Sequence, residues 1–189
     1  MISPVLQYIS PEEYLASERV AESKHEYFKG SVVALAGASL AHNRITANII
    51  REVGIMLKGT PCEIFGSDMR VSVSSEQSFT YPDATIVCGN PELLDDTFDT
   101  VKNPAVIFEV VSPSTESNDR GRKFFFYMQI PSFSEYFLVS STSLYIQAGR
   151  KQEDGSWKFE ELMDLNSDLY INSIRKSLPL HQVYANVTF

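Results

Sequence analysis

Apolar residues recur at helical spacing in three segments of the chain. We expect helices at Pro11 to about Arg19, Leu40–Lys58 and Asn118–Gln129. The first begins with a capping box, because Ser10 precedes the proline and Glu13 follows it closely. Gly59 is placed to end the second helix, and Pro131 cannot continue the third. A shorter helix is expected near the C-terminus, within 177–184.

Alternating and continuous apolar runs predict the strands. We expect a hairpin at 25–35 that turns at Lys29–Gly30, and strands at 63–74, 81–88, 105–111, 135–139, 143–149 and 157–162. The run Ala105–Val111 is apolar at nearly every position, which is typical of a strand buried on both faces. Helices interleaved with such strands indicate an α/β (α+β) fold: a mixed β-sheet flanked by helices, with antiparallel C-terminal strands. Because no repeat or long linker divides the chain, residues 1–189 are expected to form a single domain.

Charge changes this picture in one respect. The 189 residues include 16 Lys and Arg against 24 Asp and Glu, a net charge of −8, so the usual electrostatic attraction of a protein to nucleic acid is missing. The net charge is −7 in residues 1–100 and −1 in residues 101–189. We interpret the acidic stretch 91–100 as a solvated connection. Any affinity for nucleic acid would have to come from a local basic patch, for which Arg120–Lys123 is the densest candidate, and from a bound cation.

Composition also limits the cellular location and the redox chemistry. No apolar run reaches the roughly 18 residues of a membrane helix, and Met1–Pro4 lacks the start of a signal peptide, so we expect a cytoplasmic protein with no membrane partner. Cys62 and Cys88 form no CxxC pair and are too few for a disulfide framework, so we interpret both as small core residues. The absence of HExxH and CxxC spacings disfavours zinc.

Two carboxylates stand where the hydrophobic pattern leaves little room for a free charge. Glu109 lies inside the buried run 105–111, and Asp83 opens the apolar run 84–88 directly after Pro82. Burying an unpaired carboxylate is costly, so each of them needs a partner. At the ends of neighbouring strands the two would form a hard-oxygen site suited to Mg²⁺ or Mn²⁺. Alternatively, Lys, Arg or backbone amides satisfy each carboxylate separately.

Further polar residues are candidates for the same site. Glu26 shares a strand face with Phe28, so its side chain points either inward or to solvent at the strand end. Asp119, Lys123 and Tyr127 recur at four-residue steps on one helix face. They form either an exposed ion pair beside a core tyrosine or a group that sets the ammonium beside the carboxylates. In the second arrangement the lysine would polarise a water and offset phosphate charge.

Taken in order, these residues resemble the Uma endonuclease family of the PD-(D/E)XK, or restriction-endonuclease-like, superfamily. The segments that carry the resemblance are Glu26–Gly30, His42, Pro82–Asp83, Phe108–Thr115, Asp119, Lys123, Tyr127 and Glu135–Tyr136. The likeness extends from the first helix to about Val139, some three quarters of the chain. It departs at Val111, where the superfamily usually has its lysine, and Lys123 on the next helix matches an alternative lysine of the family.

The resemblance implies a nuclease with a restriction-endonuclease-like fold that hydrolyses phosphodiester bonds of DNA and depends on Mg²⁺ or Mn²⁺. Asp83, Glu109 and the Val110 carbonyl would hold the metal, which lowers the pKa of a bound water and neutralises phosphate charge. Glu26 and Lys123 would complete the catalytic set, with Lys123 orienting the nucleophile.

The remaining candidates would have supporting roles. His42 lies on the inward stripe at the start of the second helix, either as a core histidine or, as the resemblance favours, as a contact to phosphate. Arg120 and Arg122 would bind the substrate. Asp119 and Tyr127 would support the catalytic side chains.

Two other functions stay open. The acidic charge and Val111 also suit a non-catalytic protein that keeps the fold as a binding or assembly module. A metal-dependent hydrolase of small phosphoesters would use the same ligands. For the nuclease, superfamily analogy implies a homodimer with two active sites, and an outward ring of Phe124–Phe126 is a candidate contact.

Overall fold

Three β-sheets and the helices packed against them make up the part of the chain that the computed structural model describes, residues 8–73, 77–113 and 115–189. The helices are α1 (Pro11–Glu18), α2 (Leu40–Met56), α3 (Glu116–Asn118), α4 (Phe124–Tyr127) and α5 (Leu180–Val183). A π-helical turn, Asp119–Lys123, joins α3 to α4, and a 3-10 turn covers Asn172–Ile174. Residues 116–127 therefore form one continuous helix, the 116–127 helix.

The strands form a six-stranded, a five-stranded and a two-stranded sheet. They are β1 (His25–Phe28), β2 (Ser31–Ala34), β3 (Cys62–Gly66), β4 (Arg70–Val73), β5 (Ser78–Thr80), β6 (Ala84–Cys88), β7 (Thr100–Val101), β8 (Val106–Val111), β9 (Glu135–Ser140), β10 (Ile146–Lys151), β11 (Trp157–Leu162), β12 (Asp168–Ile171) and β13 (Lys176–Pro179). The sheet orders are β11-β10-β9-β8-β6-β3, β2-β1-β5-β4-β7 and β12-β13. The pairs β8–β9 and β4–β7 are parallel, so the predicted mixed sheet with antiparallel C-terminal strands is confirmed.

Three local signals have the structure that the sequence predicts. In the capping box of α1, the Ser10 N–H donates to Glu13 Oε2 at 2.8 Å and the Glu13 N–H donates to Ser10 Oγ at 3.2 Å. Lys29 and Gly30, with φ of 48° and 95°, turn β1 into β2, as in the tightest hairpins. Gly59 follows α2 with a φ of 76°.

Strand β8 is buried on both faces, as predicted, and separates two cores. One core joins α2 and α5 to alternate residues of β8, Val106, Phe108 and Val110. The other core joins the opposite face of the six-stranded sheet to the five-stranded sheet and the 116–127 helix, and it contains Ile107 and Val111. By this alternation Glu109 points into the second interface, between the two large sheets.

Several strands differ from the predicted ones. The segment 63–74 turns after Gly66, so β3 and β4 belong to different sheets. The strand expected at 81–88 begins only at Ala84, because Pro82 has no N–H for a strand ladder. Strand β10 begins at Ile146 and not at Ser143, since hydrogen bonds among residues 140–143 form a turn there.

The sequence pattern does not predict strands β5, β7, β12 and β13, whereas the expected C-terminal helix is present as α5. Short strands of this kind have too few residues to show a period. Some residues used in the sequence analysis lie outside the described part of the chain: Met1–Pro4, Ser74 and Ser114. None of the described helices is long and apolar enough to cross a membrane.

The acidic stretch 91–100 is exposed over residues 95–98, as expected of a solvated connection, but ion pairs also fix it in place. Arg19 of α1 donates to Asp95 at 2.6 Å and to Asp99 at 2.9 Å. The buried Arg70 of β4 donates to Asp99 at 2.7 Å. Two cations from distant parts of the chain therefore fix this segment, a pairing that spacing in the sequence cannot indicate.

The interpretation of the two cysteines as small core residues is wrong. Cys62 and Cys88 form a disulfide, because antiparallel pairing of β3 with β6 places them directly opposite each other, with 4.0 Å between their Cα atoms. The cytoplasmic location expected from the sequence stays a prediction. The disulfide gives a reason to test it, since disulfides persist mainly in oxidising compartments.

Candidate active site

The site is built around Glu109 on the central strand β8. Its side chain is only 3% exposed and faces the 116–127 helix. Glu109 Oε1 accepts hydrogen bonds from Lys123 Nζ at 3.2 Å and from the Tyr127 hydroxyl at 3.0 Å. The carboxylate that interrupts the apolar run therefore has partners of its own.

Lys123 holds the centre of a buried charge cluster. Its ammonium lies 2.8 Å from Glu26, 3.2 Å from Glu109 and 3.2 Å from Asp119. The lysine is 4% exposed, which rules out the alternative of an ion pair on the surface. Asp119 and Lys123 lie at the two ends of the π-helical turn, a local widening of the helix that is frequent at functional sites. One cation is thus shared by carboxylates from β1, β8 and this turn.

Glu26 points inward from β1 and is buried. Besides the ion pair with Lys123, its Oε1 accepts the backbone N–H of Tyr81 at 3.1 Å. Tyr81 precedes Pro82 and Asp83, so this hydrogen bond ties the strand that carries one acid to the segment that carries another. Of the two orientations open to Glu26, the inward one is observed.

Asp83 and His42 form the most accessible part of the cluster. His42 Nε2 lies 2.7 Å from Asp83 Oδ1, and the Val110 N–H donates to Asp83 Oδ2 at 2.7 Å. The Asp83 side chain is 15% exposed and the His42 side chain is 21% exposed. His42 is placed there by the first turn of α2, which Ser39 caps. A ligand would therefore reach the cluster first at Asp83 and His42.

Burial and mutual repulsion shape the electrostatics. Burial, and after it the charges of Asp119, Asp83 and Glu26, raise the pKa of Glu109 well above its usual range, although Lys123 opposes them. Burial favours the neutral amine of Lys123, but the three surrounding carboxylates outweigh it and raise its pKa. Burial lowers the pKa of His42, but the hydrogen bond to Asp83 and the charges of Asp83 and Asp119 together outweigh it and raise this pKa. The lysine is therefore charged, and the cluster has more acidic groups than cations.

The donor chemistry of this cluster fits a hard divalent cation. Carboxylate and carbonyl oxygens are the ligands that Mg²⁺ and Mn²⁺ prefer, and one ammonium leaves part of the negative charge uncompensated. Within residues 8–73, 77–113 and 115–189, no three acidic, histidine or cysteine side chains surround a common point. The Lys123 ammonium instead lies among three of the carboxylates.

The two predicted arginines lie on outer faces of the 116–127 helix. Arg120 donates to Glu116 at 2.6 Å and also binds Gln147. Arg122 is exposed, donates to Asn118 at 2.8 Å, and stands 4.3 Å over the ring of Phe28. Both arginines thus bind residues outside the group of four carboxylates, so the basic patch is separate from the buried cluster.

Sequence reasoning missed the supporting roles of Thr80, Tyr136 and Tyr81. The Thr80 hydroxyl lies 2.9 Å from the Tyr127 hydroxyl and donates to it, since the single Tyr127 proton goes to Glu109. The Tyr136 hydroxyl donates to the Asp119 carbonyl at 2.9 Å. The Tyr81 hydroxyl accepts from Arg70 at 2.9 Å and donates to Glu18 at 3.1 Å. For Tyr81 the sequence does carry a signal, its position directly before the Pro-Asp pair.

Comparison with known proteins places the fold and the site in context. The family model described as "Uma2: Putative restriction endonuclease" matches residues 11–178. Two uncharacterized proteins of Synechocystis sp. (strain ATCC 27184 / PCC 6803 / Kazusa) are similar over most of their length. Protein sll1609 is 34% identical over 169 residues, which are 89% of this chain and 96% of that protein. Protein slr1290 is 36% identical over 181 residues, which are 96% of this chain and 94% of that protein.

A solved structure has the same fold. The crystal structure described as a "putative nuclease belonging to DUF820" from Anabaena variabilis ATCC 29413 matches with a TM-score of 0.78. The match covers 95% of this chain and 99% of that one, at 13% sequence identity. At this identity the likeness concerns the fold, and it agrees with the predicted mixed sheet flanked by helices.

Proposed function

Because the chain belongs to the Uma2 family, described as putative restriction endonucleases, we propose that it is a nuclease that hydrolyses phosphodiester bonds of DNA and requires Mg²⁺ or Mn²⁺. The proposed active site comprises Glu26, Asp83, Glu109 and Lys123. One observation carries the proposal: a single buried lysine contacts carboxylates from three separate elements. A fourth acid, Asp83, is partly exposed, so a ligand can reach it from solvent.

Asp83, Glu109 and the Val110 carbonyl are the proposed metal ligands. When bound, the cation would neutralise charge on the scissile phosphate and lower the pKa of a water. The Val110 N–H fixes the orientation of Asp83, and the Tyr127 hydroxyl fixes that of Glu109. Both carboxylates are thus held before any ligand arrives, which reduces the cost of reorganisation.

Lys123 and His42 are proposed to act on the substrate itself. Lys123 would turn the N–H that now contacts Glu109 toward the nucleophile or a phosphate oxygen, while Glu26 and Asp119 hold its ammonium in place. His42 lies at the accessible side, bound to Asp83, where a phosphate oxygen would meet it. Each is a proton donor aimed at a region where negative charge develops.

Substrate binding outside the cluster is proposed for Arg120 and Arg122. Both lie on the same helix as Lys123, and their outward position suits contacts to phosphates beyond the scissile one. We also propose a homodimer with two active sites. The ring of Phe125, 52% exposed next to this helix face, is the candidate contact.

Metal titration and DNA cleavage test the proposal. We expect Asp83→Ala to lower cleavage of duplex and single-stranded DNA in Mg²⁺ by at least about a hundredfold, the size of losing one main stabilising contact. We expect calorimetry to give a stoichiometric Mn²⁺ site that Glu109→Gln abolishes. Glu63→Gln, at an exposed position on β3, is the matched control and should leave both results unchanged.

Three outcomes would contradict this function. Cleavage by Asp83→Ala protein at the wild-type rate would remove the site assignment. If wild-type protein neither binds Mn²⁺ nor cleaves DNA, the fold serves as a non-catalytic binding module. Turnover of nucleotides without cleavage of polymers would instead identify a hydrolase of small phosphoesters.

A further inference from the structure

A second concave feature lies beside the strands that carry the candidate active site. It is a cavity of about 380 Å³. Its lining residues are Phe65, Gly66, Asp68, Met69, Phe98 and Asp99. Gly66 is the last residue of β3 and pairs with Ala84 on β6, the neighbour of Asp83. The cavity therefore lies on the strand next to β6, close to Asp83 at the accessible side of the site.

Phe98 is held at this cavity in an unusual way. Its ring is 67% exposed, and its φ of 60° lies in the left-handed region, which bulky residues avoid. Arg19 binds Asp95 and Asp99 on either side of Phe98, and the Arg70 N–H donates to the Asp99 carbonyl at 3.1 Å. These contacts keep the segment in a conformation that it would not adopt alone. The Phe98 ring is thus exposed to solvent on a backbone that the neighbouring ion pairs hold in place.

The two carboxylates of the cavity each have a cationic partner. Lys24 Nζ lies 2.5 Å from Asp68, and Asp99 is bound by Arg19 and Arg70. The Asp99 oxygens already accept from Arg19, Arg70, Thr97 and Thr100, so the acceptor that faces solvent at the cavity is the exposed Asp68 carboxylate. Acceptors of this kind do not suit a phosphate, which needs donors.

Aromatic rings, a methionine and acceptor oxygens together suit a flat ring whose edge carries N–H donors. Nucleobases have this chemistry, since their faces stack on aromatic side chains and their amino and imino groups donate hydrogen bonds. Met69 adds a polarizable surface that adapts to rings of different size.

We propose that this cavity is a subsite for an unpaired nucleobase of the substrate strand, which stacks on Phe98 while the phosphate next to it lies at Asp83. The proposal rests on the nuclease function proposed above and extends it to a substrate class. A base inside a duplex cannot enter the cavity, so the preferred substrate is single-stranded, or duplex DNA with a frayed or flipped base.

Binding measured without cleavage tests this subsite. In EDTA, we expect wild-type protein to bind a single-stranded oligonucleotide that contains 2-aminopurine, to change its fluorescence by stacking, and to bind a blunt duplex of the same sequence less tightly. Phe98→Ala should weaken single-strand binding roughly five- to a hundredfold, the effect of one lost aromatic–base stack, and abolish the fluorescence change. Phe98→Tyr keeps the ring and should retain both.

Two controls show whether a loss of binding is specific to the Phe98 ring. Phe189→Ala, which removes another exposed aromatic ring to which no role in binding or assembly is assigned, should leave binding unchanged. Because the Phe98 ring is largely exposed, its removal should leave thermal unfolding close to that of wild type. Equal affinity and equal fluorescence for Phe98→Ala and wild type would overturn the subsite, while the cleavage test of Asp83 decides the nuclease function separately.

Two further results would also overturn it. If Phe98→Ala changes the sedimentation of the protein from dimer to monomer and leaves oligonucleotide affinity intact, the ring belongs to a protein interface. If wild-type protein cleaves duplex DNA in Mg²⁺ but binds no single strand, the nuclease function stands and the base subsite does not.

Discussion

At the scale of single residues, Lys123 decides how the buried acids are compensated. Its ammonium contacts Glu26, Glu109 and Asp119, and Asp83 lies close enough to raise the pKa of Glu109 further. One cation among several acids is unfavourable for folding, because a carboxylate without its own counter-charge is costly to bury. Such imbalance is typical of functional sites, where a ligand supplies the missing charge.

Glu109→Gln should therefore stabilise the protein in the absence of divalent cations. The pKa of Glu109 is raised in the folded chain, so the folded state binds this proton more tightly than the unfolded state. Wild-type stability then falls as the pH rises above about 4.5, the usual pKa of the group. Glutamine has no such proton to lose. We expect the variant to unfold roughly 2–4 °C above wild type at pH 7.5, about 1 kcal/mol.

Thermal unfolding in EDTA at pH 4.5 and pH 7.5 measures this difference. The gain should be smaller at pH 4.5, where less of the wild-type penalty is present. Glu63→Gln, which changes an exposed acid, should shift neither value. A variant less stable than wild type at both pH values would mean that the hydrogen bonds of Glu109 outweigh the repulsion.

At the scale of elements, features that depend on neighbouring residues could be predicted from the sequence, whereas contacts between distant segments could not. The capping box at Ser10 and the turn at Lys29–Gly30 depend on neighbours in the chain, so they could be predicted. The disulfide between Cys62 and Cys88 depends on the register of β3 with β6, which the sequence does not show. The acidic segment 91–100 likewise depends on arginines far away in the chain.

The candidate site likewise contains residues that could be predicted from the sequence and residues that could not. Glu109 and Asp83 could be found because a carboxylate in or beside an apolar run needs a partner. Lys123 could be placed on their side only through helical spacing and the family resemblance. Tyr81 was missed, because its role arises from contacts between α1, β1 and β4 that form only in the folded chain.

Tyr81 links the elements that carry two of the acids. Its hydroxyl joins Arg70 to Glu18, and Glu18 accepts the backbone N–H of His25 at 2.8 Å, directly before Glu26. Tyr81→Phe should therefore move Glu26 and the Pro-Asp segment relative to each other. We expect weaker Mn²⁺ binding and a lower kcat for DNA cleavage, each by roughly tenfold, the usual effect of losing an outer hydrogen bond at a metal site.

Tyr184→Phe is the matched control for this positioning role. The Tyr184 hydroxyl donates to the Tyr145 carbonyl at 2.8 Å and accepts the Tyr145 N–H at 3.3 Å, so the same number of hydrogen bonds is lost. It lies in the other core, with α5. Both variants should lose similar thermal stability. If Tyr184→Phe lowers Mn²⁺ affinity as much as Tyr81→Phe, then Tyr81 contributes only to stability.

At the scale of the whole molecule, the disulfide and the site lie at opposite ends of one strand pair. Cys88 ends β6 and pairs with Cys62, whereas Asp83 directly precedes Ala84, which starts β6 and pairs with Gly66. Reduction should loosen the edge strand β3 at its far end. The sheet between the two ends should keep the site in place.

Cys88→Ser should lower the free energy of unfolding by about 3 kcal/mol, because the bond closes a loop of 26 residues in the unfolded chain. Denaturant unfolding of the variant, and of wild type with a reducing agent, should give the same loss. Cys62→Ser together with Cys88→Ser should add nothing further, and Mn²⁺ binding should stay unchanged. Two free thiols in purified wild-type protein, detected by mass spectrometry after thiol alkylation, would contradict the disulfide.

The order of the site residues along the chain determines when the proposed site can form during synthesis. Glu26 comes early in the chain, Glu109 lies on the later central strand, and Lys123 follows on the helix that packs between the sheets. A ribosome-bound or truncated chain that ends before this helix contains Glu26 and Glu109 but not Lys123. It also lacks the helix that packs against the sheets. In the proposed nuclease, a chain that ends before Lys123 would therefore lack a complete active site, and only a chain extended past this helix could cleave nucleic acid.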